Sequence, residues 1–209
     1  GLIEIVKKEL EKEPDISSSN LAKRIVKQAI LTEPDRKPKD DISAVCVYYR
    51  EPRNAVVFTG PPYHQSKDKF YAQALIDFNG KKAISGGTTA NLVSRELNIP
   101  IKTNINLNIG KLPAISYMEG IDLVTEGILT LTRACEYLET GEVNNDAAGD
   151  LVKFMLDTDC ITFMVGAKLN QAHYDPNLPI EIEIRKNVIK KISDILENKY
   201  YKKVTVQYM

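Results

Sequence analysis

Lys82-Ala83-Ile84-Ser85-Gly86-Gly87-Thr88-Thr89-Ala90-Asn91-Leu92-Val93-Ser94-Arg95-Glu96-Leu97 is the stretch that decides how this chain folds. Ala83-Ile84-Ser85 is a short apolar run of strand type, and Ala90, Leu92, Val93 and Leu97 follow at helical spacing. Between them, Gly86 and Gly87 let the backbone turn sharply and approach a ligand closely. Thr88 or Thr89 can cap the helix by accepting a backbone N–H. The unpaired amides of such a helix start favour an anion, phosphate or carboxylate. Gly-Gly-Thr-Thr is not a Walker loop and lacks the spacing of a dinucleotide fingerprint. The same residues would also make a well-capped strand-to-helix corner with nothing bound.

Outward from this unit the pattern repeats. Ala55-Val56-Val57-Phe58 reads as a strand ending at Thr59-Gly60-Pro61-Pro62, followed by a helix near Phe70–Ile76 that closes at Asn79-Gly80. Downstream, Ile101–Leu107 alternates as a strand and Ala114–Met118 adds a short one. Ile121–Val124 is a strand running into Thr125-Glu126-Gly127, then a helix over Ile128–Leu138 stopped by Gly141. Asn144 or Asn145 caps a helix through Leu151, Val152, Met155 and Leu156. Ile161–Val165 is a strand ending at Gly166-Ala167-Lys168. A polar loop, a long helix from Pro179 or Ile180 to about Asn198, and a strand at Val204–Tyr208 complete the series. Strands alternating with helices predict an α/β fold over residues 54–209: a mostly parallel sheet with helices on both faces.

Right-handed crossovers gather the turns after successive parallel strands on one edge, where ligands bind in such sheets. Gly60, Gly86, Gly87, Thr88, Thr89, Thr125 and Gly127 therefore form the candidate ligand-binding set for a small anion, with Lys168 as the balancing cation. Glu126 would face the same cleft as base, metal ligand or contact to a sugar hydroxyl, or simply favour a helix's first turn. His173, with Asp175 two residues on, can act as base or metal ligand, or belong to an Asp-Pro-Asn surface turn. Glu126, Lys168 and His173 are thus the catalytic candidates if this domain is an enzyme.

Totals narrow the classes. Among 209 residues, 28 Lys and Arg balance 28 Asp and Glu, so no global field points to nucleic acid or an anionic membrane. No apolar stretch reaches the roughly 20 residues of a membrane helix. Cys46, Cys135 and Cys160 stand far apart in apolar contexts, which suggests buried thiols in a reducing compartment, and the expected location is cytoplasmic.

Residues 1–53 have another character. Leu2, Ile3, Ile5, Val6 and Leu10 make an amphipathic helix stopped by Pro14. Ser17, Ser18 or Ser19 can cap a second helix whose stripe is Leu21, Ile25 and Ala29, flanked by Val26 and Ile30. A polar loop over Glu33–Pro38 leads to Asp40-Asp41 and a predicted strand, Ile42–Tyr49. Two helices, a proline-bearing loop and Lys39-Asp40-Asp41-Ile42-Ser43-Ala44-Val45-Cys46-Val47 resemble the last stretch of a metal-dependent PPM-type serine/threonine phosphatase, nearest its bacterial SpoIIE-like branch.

That resemblance covers about the first quarter of the chain. It implies a phosphatase α+β fold ending in these helices and this strand, a signalling role, and a phosphoprotein substrate hydrolysed by metal-activated water. It also implies that Asp40 binds one Mn2+ or Mg2+. One carboxylate cannot hold a two-metal site, and the family's other metal-binding aspartates lie in motifs that do not precede Gly1 here. The expectation is a C-terminal piece that is inactive alone, with residues 54–209 attached as a regulatory domain, an enzyme or a structural dimerisation unit. An apolar strand without its sheet seeks another edge. The first fifty residues are accordingly expected to be disordered, swapped, or paired as a homodimer through residues 42–49.

Overall fold

The computed structural model describes residues 1–103, 116–167 and 178–209. Contacts divide the chain into two compact units, Gly1–Glu51 and Pro52–Met209.

In the first unit, α1 (Leu2–Lys12) and α2 (Ser18–Thr32) lie side by side. Ser17 caps α2, its hydroxyl accepting the Asn20 amide at 3.2 Å. Arg24 of α2 reaches back to Glu9 at 2.8 Å and also binds Glu13. That guanidinium holds the Glu9 carboxyl below its ordinary range. The strand expected at Ile42–Tyr49 does not form. A strand exists only where a second backbone takes up its amides and carbonyls, and this unit has no other strand among the described residues. The alternation of side chains survives all the same. Ile42, Ala44 and Cys46 are half-buried, whereas Val45, Val47 and Tyr49 are 88%, 91% and 99% exposed. Ala44 shares a shallow apolar hollow with Ala22, Val26 and Ile30 of α2.

The second unit is an α/β layer structure. Its strands are β1 (Asn54–Thr59), β2 (Lys81–Ser85), β3 (Ile101–Thr103), β4 (Ser116–Met118), β5 (Ile121–Thr125), β6 (Cys160–Val165) and β7 (Lys203–Tyr208). Its helices are α3 (Asp68–Asp77), α4 (Gly87–Leu97), α5 (Ile128–Thr140), α6 (Ala147–Leu156) and α7 (Leu178–Asn198). The sheet order is β3-β4-β5-β2-β1-β6-β7. β5, β2, β1, β6 and β7 run parallel, and β4 lies antiparallel to both β3 and β5.

Period-two burial on the central strand creates two cores. Val56 and Phe58 join Leu75 of α3 and Leu92 and Val93 of α4 on one face. Ala55 and Val57 join Leu131 of α5, Leu151 of α6 and Ile189 of α7 on the other. All four β1 residues are 0% exposed, as expected for a strand covered on both faces. Among the described residues no helix is long and apolar enough to cross a membrane.

Two local expectations extend beyond the described residues, and a third is corrected. The strand expected over Ile101–Leu107 is described only as β3, and the rest of that range lies outside the described residues. Ala114 of the Ala114–Met118 strand also lies outside them. The cap of α6 is Asp146, not Asn144 or Asn145: its carboxylate accepts the Gly149 amide at 2.8 Å. Asn144 instead donates to the Tyr137 hydroxyl at 3.0 Å, and Tyr137 in turn donates to Asp146 at 2.6 Å. Sequence pattern favoured an asparagine because any of these residues suits a cap; the buried tyrosine selects the carboxylate.

This latch has a pH signature. Burial pushes the Asp146 carboxyl up, but bonds from Tyr137 and the Gly149 and Ala148 amides outweigh it, so it sits below its ordinary range. The unfolded chain therefore takes up the proton first as pH falls. The latch's contribution is complete above about pH 4 and is lost below it, toward the folded-state value. Tyr137→Phe should cost about 1–3 kcal/mol in urea unfolding at neutral pH, and less at acid pH, where the wild type has itself lost this contribution.

Candidate ligand site at the carboxyl edge

Parallel register aligns the strand ends. Thr125 of β5 pairs with Ser85 of β2, Ser85 with Thr59 of β1, and Thr59 with Val165 of β6. The four glycine-bearing corners thus leave the sheet at one level, and they are tied to one another. The Gly86 amide donates to the Thr125 carbonyl at 2.8 Å, and the Gly166 amide to the Thr59 carbonyl at 2.9 Å. Gly60 donates to the buried hydroxyl of Thr89 at 2.9 Å. The hydroxyls of Ser85 and Thr125 both donate to the Glu126 carbonyl, at 2.9 and 3.1 Å.

Strand order reverses between β1 and β6, where a doubly wound sheet usually opens a crevice. Here that crevice is closed. A Cβ on Gly166 would stand 2.1 Å from the Pro61 carbonyl oxygen and 2.2 Å from that of Gly60, so the two backbones are in contact. Arg185 of α7 lies over the junction, its guanidinium donating to the Gly166 carbonyl at 3.3 Å. The Met209 carbonyl accepts the Ala167 amide at 3.0 Å and the Tyr63 amide at 3.3 Å.

One strand along, the edge stays open. α4 begins at Gly87, so Gly86 is its cap, at φ 131°, a backbone geometry that side chains rarely tolerate. The expectation that Thr88 or Thr89 caps this helix is therefore corrected: both lie inside it, and Thr89 Oγ1 serves Gly60. Gly127 takes the same position at α5. A Cβ on Gly127 would lie 3.5 Å from Gly86 Cα, so the two helix starts stand side by side. Neither has a side-chain cap. The first intrahelical bonds are Ala90 to Gly86 and Leu131 to Gly127. Helix geometry alone therefore leaves the amides of Gly87, Thr88 and Thr89, and of Ile128, Leu129 and Thr130, without intrahelical partners. Gly87, Thr88, Glu126 and Leu129 are exposed beside them. Thr130 is 1% exposed, and its hydroxyl has no hydrogen bond among the described residues.

Gly60, Gly86, Gly87, Thr88, Thr89, Thr125 and Gly127 are thus brought to one edge, but in different roles. Gly60, Thr89 and Thr125 hold the corners together, while Gly86, Gly87, Thr88 and Gly127 form the open rim. Glu126 reaches the same rim with its side chain in solvent. Lys168 and His173 lie outside the described residues. Asp40 is exposed, and one of its carboxylate oxygens already accepts the Asp41 amide at 2.8 Å. Among the described residues no group of three or more His, Cys, Asp and Glu could hold a metal ion. A hard cation takes oxygen ligands, and Asp40 is the one carboxylate that the resemblance assigns to Mn2+ or Mg2+. Cys135 is buried, which pushes its thiol up and makes it a poor nucleophile.

Sequence reading did not single out Arg185 or the acceptor role of Thr89. Arg185 sits in a long charged helix, where one arginine looks like any other solvated residue. Nothing local marks the partner of Thr89, which is 29 residues away.

No family model matches this chain, and no match is found among curated proteins or solved structures.

Two glycines separate the closed half of the edge from the open half. Gly166→Ala has carbonyl oxygens within 2.2 Å of the new methyl and should cost more than about 3 kcal/mol. Gly87 has open space around it, so Gly87→Ala should be neutral or stabilise by up to about 1 kcal/mol. Chemical denaturation of the two variants checks the pair.

Proposed function

We propose that residues 52–209 form a regulatory module that binds a small anion, phosphate or carboxylate, at the paired starts of α4 and α5. One observation carries this reading. Two uncapped helix N-termini, each with glycine at the cap, lie in contact at the carboxyl edge of adjacent parallel strands. Each terminus presents backbone donors and about half a positive charge, and two together favour an anion more than either alone. Without side chains at the caps, a ligand can approach the amides closely. The exposed Thr88 hydroxyl can add a further donor.

The resemblance of residues 1–53 supplies the context of the proposal: a SpoIIE-like protein phosphatase acting on a phosphoprotein, with this module as its sensor. Asp40 would contribute a single metal ligand there, so the chain by itself should show no metal-dependent hydrolysis of p-nitrophenyl phosphate. Release of p-nitrophenol by purified chain with Mn2+, at a rate that Asp40→Asn lowers, would overturn that part.

Ligand binding is tested by thermal shift with inorganic phosphate, phosphorylated metabolites, nucleotides and carboxylates. A cognate anion at about 100 times its dissociation constant should stabilise the fold by about 2.7 kcal/mol. Thr88→Ala should weaken the response. Glu126→Gln removes a negative charge from the rim and should strengthen it. An enzyme that used Glu126 as base would behave differently: the same change would abolish turnover without tightening binding. No response to any anion would leave the edge a structural corner.

A further inference from the structure

We draw no further inference here: the strongest candidate, the buried hydroxyl of Thr130 in the first turn of α5, belongs to the site already described, and no contact among the described residues aims it at the open amides of the rim.

Discussion

Four parallel strands that end on the same rung must turn in the same small space, and the rest of the second unit is arranged around that crowding. Thr59, Ser85, Thr125 and Val165 are level across β1, β2, β5 and β6. The turns that follow cannot all carry side chains. Gly60 and Gly166 let two backbones touch, and Gly86 and Gly127 let two helix starts stand together. Hydrogen bonds between corners, above all Gly60 to the Thr89 hydroxyl, make each turn depend on its neighbour.

That crowding moves the open part of the edge. In a doubly wound sheet the crevice is expected where strand order reverses, here between β1 and β6. Main-chain contact, the Arg185 guanidinium and the Met209 carbonyl fill it. The amides left facing outward belong to α4 and α5, which follow β2 and β5. A glycine that packs against another backbone and a glycine that leaves an amide open look alike in sequence. Their surroundings separate structure from binding: Gly166 is hemmed in by carbonyl oxygens, and Gly87 has nothing near it.

The first unit presents the opposite problem. It has an amphipathic pair of helices and a segment, residues 42–49, with the burial alternation of a strand, but no second backbone for that segment among the described residues. Helices satisfy their own amides and so form wherever pattern and caps allow. Ser17 caps α2, and Arg24 bridges α2 to Glu9 of α1. A strand's hydrogen bonds belong to its neighbour, so a β-rich sequence specifies a readiness to pair rather than a strand.

The sequence by itself determined the alternation of elements in the second unit, the two-sided covering of its sheet and the helix stops such as Gly141, because periodicity and turn chemistry act within a few residues. It also placed the four glycine corners on one edge, since right-handed crossovers leave no other arrangement. Only the tertiary structure decided which corners close and which stay open, that Thr89 braces Gly60 instead of capping α4, and that Asp146 caps α6 under Tyr137. Each of these depends on atoms brought together from distant parts of the chain, and no local pattern encodes such a meeting. Residues 42–49 mark the same boundary: their side-chain alternation is written locally, whereas strand formation requires a partner.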